Sequence, residues 1–424
     1  MRLPELPGDQ SLHVLLEGYG WMPNLRRSTG VDVVRTRVMG QRAVGLCGPD
    51  AARFFYDEKH VERHAAIPSP VLSTLFGHGA VHTLDREAHR RRKSIFLSLV
   101  TPDSVASLVQ CVAAAWEDVV VGWQPGRSVV LFDEASRAIT AGVRRWAGLP
   151  VETHEVGDLA ADLVAMVDGF ATAGPRHWRA RSARDRREAW LGSVIQDVRD
   201  GKAEAPPGSA LETVARHRDV DGELLDPRTA AVELLNVIRP TVAVCWFVAY
   251  AGHALHTWPQ FRRPLQAGGE FAVAFAHELR RFYPFAPFVG GRAVRDLTWQ
   301  GHEIPEGALV LLDLYGQNHD SRWWADPYRF DPDRFVGREI DMWHLVPQGA
   351  GDPQTGHRCP GEAFTVAILA ELSTRLAHLD YRVPDQDSTI SLSRIPARPR
   401  SGFVLVPVGR AAQRAADPLV AGAD

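Results

Sequence analysis

Apolar and polar residues alternate from Val31 to Cys47 around Met39-Gly40-Gln41, which predicts a β-hairpin. From about Pro49 to Leu279 the spacing becomes helical. Thr101 reads as an N-cap, followed by Val105, Leu108, Val109, Val112 and Trp116 at intervals of three and four. Asp226 to Leu255 predicts a second long helical stretch, and Glu278 falls near the end of the next one. Strand patterns return at Leu297–Trp299 and Ala308–Leu314. A last hairpin is expected around the proline-rich turn Ile395–Pro399, with Phe403–Val408 as its second strand. No repeats occur, and Pro206-Pro207-Gly208-Ser209 is a loop too short to separate independent domains. The pattern predicts one domain over residues 1–408, mainly α with minor β. A tail rich in Ala and Asp, 409–424, is expected to be flexible.

Composition narrows the function classes. The formal net charge of −3 gives no basic field for nucleic acid or anionic membrane. Cysteines 47, 111, 245 and 359 lie far apart with no CxxC pair, which argues against zinc and disulfides and for a reducing cytoplasm. The N-terminus lacks a signal-like apolar core. The longest buried-looking run, Thr241 to Gly252, is about half of a bilayer span, so no membrane anchor is expected. The segment RHWRARSARDRR, 176–187, is basic; without an aromatic platform it reads as a solvated helix face rather than a nucleic-acid patch.

The chemistry concentrates in PQGAGDPQTGHRCPGEAF, 347–364. A glycine-rich loop delivers Cys359 just before Pro360-Gly361 and a helical run from Glu362. A helix head offers free N–H groups and a dipole that favour a thiolate, and glycines admit a flat ligand closely. Such a sulfur suits an axial ligand to heme iron.

On those residues the segment resembles the heme-binding loop of cytochrome P-450 enzymes. Glu278-Leu279-Arg280-Arg281 is similar to the family's E-x-x-R pair, and Asp331-Pro332-Asp333-Arg334-Phe335 to the segment that adds a second arginine, Arg334, to it. His89, Arg92 and Lys93 fall where the family sets cations for the heme propionates, with His357 in a comparable role. The resemblance covers Val31 to Val408 and implies heme b and a triangular helical domain with small β-sheets. Where most members carry phenylalanine in F-x-x-G-x-x-x-C, this chain has Pro347-Gln348-Gly349 and extra residues Asp352 to Thr355. That departure resembles the bacterial fatty-acid peroxygenases, which hydroxylate at Cα or Cβ, or form olefins by decarboxylation, with hydrogen peroxide and no redox partner.

Conventional members of the family carry an acid followed by an alcohol above the heme. Here Arg239 and Pro240 stand in those positions, and Thr241 lies one residue late, about 100° around a helix. Proline inside a helix costs about 3 kcal/mol, and an unpaired buried guanidinium several. With Val237, Ile238, Val242, Ala243 and Val244 around it, Arg239 has no local partner; a distant carboxylate or a heme propionate is one reading, and the expected one is a long-chain fatty-acid carboxylate gripped by the guanidinium fork. That carboxylate would then serve as general base and general acid toward peroxide. The resemblance further nominates Leu75, Phe76, Val167, Phe170, Phe285 and Phe288 as acyl-channel lining. It also sets His82 where olefin-forming members carry histidine, an imidazole expected to donate a proton near its ordinary pKa of ~6.5. Two other readings stand beside this one: an NAD(P)H-driven monooxygenase of another small molecule, and a non-catalytic heme sensor.

Overall fold

The computed structural model describes residues 5–170 and 172–409, with side chains from residue 8 onward. The tail expected beyond Gly409 lies outside the described residues. The hydrophobic centre is a pair of helices in sequence, Pro227–Val242 and Val244–Thr257, interrupted at Ala243. Asp226 caps the first by accepting from the Arg228 and Thr229 N–H groups at 3.1 and 3.0 Å, and Pro227 occupies its first turn. The break falls three residues after Pro240, whose ring removes one backbone donor from the ladder. Nearly every residue of this pair is buried, because helices Leu131–Ala147, Val156–Asp168 and Pro175–Arg199 cover its sides. A window of Pro227–Thr257 is long and apolar enough to cross a bilayer by composition, but 94% of that window is buried inside the protein. Helix Pro102–Val121, which also meets that measure, packs against Leu131–Ala147; Thr101 caps it, accepting from Ser104 at 3.2 Å.

The predicted first hairpin forms as Val34–Val38 and Gln41–Leu46, with Met39 and Gly40 both at positive φ in the turn. It joins Leu309–Asp313, Phe288–Ala293, Val61–Glu62 and Glu5–Asp9 in a six-stranded sheet. Leu297–Trp299 pairs with His302–Ile304. The last hairpin differs from expectation. Val404–Pro407 pairs with Tyr381–Arg382 and Val129–Val130, and only an isolated Ile390–Pro399 bridge spans the proline-rich segment. Two prolines, 396 and 399, deny that stretch the ladder donors a strand requires.

The basic segment 176–187 also differs from a simple solvated face. Arg179 and Arg181 are exposed, but Arg176 pairs with Asp168 (2.9 Å), Arg186 and Arg187 share Asp162 (2.6 and 2.8 Å), and Arg184 turns inward. Its charges are largely committed within the fold.

Candidate active site

Cys359 sits just before helix Glu362–His378, on a loop tied by its own N–H to the Gln348 carbonyl at 3.1 Å. The Gln348 side chain donates Nε2–H toward Sγ (3.7 Å) and to the Thr365 hydroxyl (3.2 Å). Its Oε1 accepts from Arg280 Nε at 2.9 Å, which fixes which end of the amide faces the sulfur. Arg280 and Arg358 both bond Glu362, Arg358 through Nε at 2.7 Å. Burial first, and the Glu362 carboxylate second, push the Cys359 thiol above its ordinary range, outweighing the Gly361 N–H.

Glu278 and Arg281 lie three apart on helix Gly269–Phe282 and meet in a fork of two 2.7 Å bonds, both side chains fully buried. Arg334 approaches the same carboxylate at 3.3 Å, and Asp331 N–H donates to it at 2.8 Å. Arg281 also holds the Asn318 and Pro327 carbonyls, at 2.8 and 2.9 Å.

The expected propionate cations divide. His89 and His357 stack with centroids 3.8 Å apart, and His89 Nδ1 and His357 Nε2 have no hydrogen-bond partner, the latter standing 3.6 Å from Asp85. Burial pushes His89 down to about 3 and Lys93 down to about 8. Among the described residues Lys93 holds only the Gly356 and Arg358 carbonyls. Arg92 is a correction. It is engaged by Glu233 (3.0 Å) and Asp219, so two carboxylates already balance its charge. The sequence reading missed Arg63, buried over the Phe55 ring at 4.1 Å and bonded to a single carbonyl, Gly290 at 3.0 Å. No motif marks it; only the fold brings it here.

Across from the cysteine, Arg239 is 5% exposed. Burial first and the Arg184 cation second disfavour its charge, while the Cys359 sulfur, if ionised, favours it. The sequence offered it no local partner; the structure supplies one neutral contact, Nη2–H to Asn236 Oδ1 at 3.2 Å, and leaves Nε unpaired. The one buried carboxylate on the same helix, Glu233, is taken by Arg92 and by Val81 N–H at 2.8 Å. Among the described residues no carboxylate lies in ion-pair reach of Arg239. Phe76 lies 5.8 Å from its guanidinium and 4.3 Å from the His82 ring. Burial, then the charges of Arg239, His357 and His89, hold His82 well below the ordinary histidine range. A neutral imidazole with Nδ1 unpartnered therefore replaces the expected proton donor titrating near neutrality. Leu75, Phe76, Val167, Phe170 and Phe285 belong to or pack on the main core. Phe288 is not brought to them: as a strand residue it faces Trp21 (5.7 Å) in a separate cluster with Met22 and Leu311.

The family model for cytochrome P-450 matches residues 270–396, the stretch holding Glu278, Arg334 and Cys359. The fold is similar to cytochrome P-450SP alpha solved with (R)-ibuprophen, at 41% identity, 94% of this chain, 98% of that chain and TM-score 0.92. The chain belongs to the cytochrome P-450 family. Similar too are cytochrome P-450EX alpha with myristic acid (36% identity, 96% of this chain, 98% of that one, TM-score 0.92) and a variant of cytochrome P-450 OleT with arachidonic acid (34%, 96%, 98%, 0.93). This P-450 is a heme-thiolate oxidoreductase on the fatty-acid peroxygenase branch. Its own residues fit the heme that the family implies. The Cys359 thiol shares the site with two buried cations, Lys93 and Arg63, that hold carbonyls rather than carboxylates, beside two histidines with unpartnered ring nitrogens. A planar ligand with an iron and two carboxylates matches that donor set.

Proposed function

We propose that this P-450 uses hydrogen peroxide to oxidise long-chain fatty acids at Cα or Cβ, by hydroxylation and to some extent by decarboxylation to terminal alkenes, with the substrate carboxylate on Arg239. The observation that carries the reading is a buried guanidinium without a carboxylate, on the helix face where conventional members carry their proton relay. Heme held by Cys359 supplies the oxidation chemistry when bound. His89, Lys93, His357 and Arg63 would meet its propionates; Gln348, Arg280 and Arg358 would hold the loop that carries the sulfur, and Glu278, Arg281 and Arg334 would hold the 318–331 segment.

Arg239 binds the acid head through its open Nε edge, which sets Cα and Cβ nearest the reacting centre. The held carboxylate takes a proton from peroxide and returns it to the departing oxygen, so the substrate brings the general acid–base group the helix lacks. Thr241 is no substitute, since its hydroxyl donates to the Val237 carbonyl at 2.9 Å. Pro240 removes the backbone donor at its own position in the helix ladder. Leu75, Phe76, Val167, Phe170 and Phe285 would take the acyl chain. Two relatives were solved with fatty acids, and that chemistry suits this pocket. Residues 1–408 act as one catalytic domain without a redox partner, in the cytoplasm, in keeping with four free cysteines.

The test is product analysis of the heme-loaded protein with a saturated long-chain acid and hydrogen peroxide, without reductase. Hydroxy acids or a shortened alkene, falling about 10²–10³-fold in Arg239→Ala as a buried ion pair is lost, support the reading. Product formed only with NADPH and a reductase overturns it.

A further inference from the structure

The basic segment 176–187 has no role in the scheme above, yet one of its arginines is among the most buried side chains in the protein. Arg184, 1% exposed, leaves helix Pro175–Arg199 toward the distal side of the pocket. Its Nη1–H donates to the Leu75 carbonyl at 2.6 Å, its Nη2–H to the Phe76 carbonyl at 2.8 Å, and its Nε–H to Glu188 at 2.5 Å. All three edges of the guanidinium are used, and two of them hold consecutive carbonyls of the pocket wall.

Those carbonyls need an outside donor. Residues Leu72–Phe76 form a single π-turn, closed by the Gly77 N–H returning to the Leu72 carbonyl at 2.8 Å. The turn ends there, so the carbonyls of Leu75 and Phe76 point beyond it, where a cation is favoured. Gly77 makes the approach possible. It stands at φ +89°, and a Cβ there would run into the Arg184 guanidinium and lie 2.7 Å from Val232 Cγ1. The Phe76 carbonyl accepts a second bond, from Asn236 Nδ2 at 2.9 Å, and Asn236 is the residue whose Oδ1 holds Arg239. One carbonyl thus ties Arg184, Phe76, Asn236 and Arg239 into a single set.

We propose that Arg184 is a positioning residue for the substrate pocket: its planar fork clamps the Leu75 and Phe76 carbonyls and so fixes the Phe76 ring between His82 and Arg239. The consequence for products rests on the function proposed above; the clamp itself does not. A lysine retains the charge and the pairing with Glu188 but cannot span two carbonyls in one plane. The clamp is therefore separable from a plain helix ion pair between Arg184 and Glu188.

The experiment compares Arg184→Lys, Glu188→Gln and Gly77→Ala in the heme-loaded protein, by hydrogen–deuterium exchange over residues 72–83 and by the ratio of Cα to Cβ products. Arg184→Lys should speed exchange of the Gly77 amide about tenfold, the change that loss of one charge-assisted bond brings, while Glu188→Gln leaves it near wild type. Arg184→Lys and Gly77→Ala should shift the product ratio in the same direction, about threefold. In a Phe76→Leu background Arg184→Lys should add no further shift, because it acts through that ring. Exchange over 72–83 unchanged in Arg184→Lys, or raised equally in Glu188→Gln, overturns the clamp. If Arg184→Lys does not accumulate folded, Gly77→Ala decides by the same exchange and ratio. A wild-type protein that oxidises no fatty acid sinks the proposed function, and the exchange arm still decides the clamp.

Discussion

The opposing walls of the site treat charge in opposite ways. On the cysteine side two carboxylates are each held by two arginines: Glu278 lies between Arg281 and Arg334, and Glu362 between Arg280 and Arg358. On the facing side Arg239 has one neutral contact, His82 has an open ring nitrogen, and Arg184 adds a second cation nearby. Burying unpaired polar groups costs stability, so a fold keeps such a wall where a ligand completes it. The paired wall holds a loop still; the unpaired wall waits for an anion.

The comparison breaks most completely at the sulfur. Cys359→Ser should abolish the thiolate signature in the absorption of the ferrous carbon monoxide complex and lower peroxide-driven turnover by at least about 10³-fold. Retention of both would remove Cys359 from the iron. Next comes the paired wall itself. Glu278→Leu leaves Arg281 as a buried charge, and half-buried Arg334 beside it, without a carboxylate, a loss of about 3–5 kcal/mol, read as a lower unfolding midpoint in denaturant and poor heme retention. Arg334→Ala, which removes the outer and longer contact, should cost clearly less.

What the chain's pattern made legible follows from how local each signal is. The hairpin around Met39, the cap at Thr101 and the Glu278–Arg281 pair depend on residues within a few positions of one another, and all stand in the structure as the spacing predicts. Arg239 stood out because a charge and a proline interrupt an apolar helix. Asn236, Glu233, Arg63 and Gln348 were invisible, since each acquires its meaning from a partner more than ten residues away in sequence or from an adjoining helix face. Arg92 misled for the same reason: Asp219 and Glu233, both over a hundred residues on, claim it. The strand after Ile395 also depended on distant partners, Val129–Val130 and Tyr381–Arg382, which no local pattern names.

The unpaired wall can be converted toward the paired one. Asn236→Asp would set a carboxylate 3.2 Å from the Arg239 guanidinium where a neutral oxygen now stands. A fatty acid would have to displace that bond, and the substitution also removes the amide donor that Asn236 gives to the Phe76 carbonyl. Affinity read from the heme absorption shift should fall tenfold to a hundredfold, about 1–3 kcal/mol, while binding of a neutral azole changes little. Equal loss for both ligands would show a damaged pocket rather than a competed anion site.

The smallest effect sharpens the contrast through pH, using two histidines, one of them beside the paired wall. Burial holds His319 and His253 down to about 4, from an ordinary value of 6.5. His319 sits between the Tyr315 and Phe282 carbonyls, at 2.9 and 3.0 Å, and the Arg281 cation further disfavours its charge. A histidine with a lowered folded pKa stays neutral in the fold, whereas the unfolded chain takes up protons below about 6.5. Stability is therefore fully present above that pH and declines between about 6.5 and 4, by up to about 1.4 kcal/mol per pH unit for each such group. Unfolding midpoints in denaturant between pH 7 and 5 should fall accordingly, and His319→Gln should flatten some of the decline while lowering the midpoint at pH 7 only slightly. A slope unchanged by that substitution would mean His319 takes its proton in the folded state as readily as in the unfolded one, and that the carbonyls around it, not burial, govern its charge.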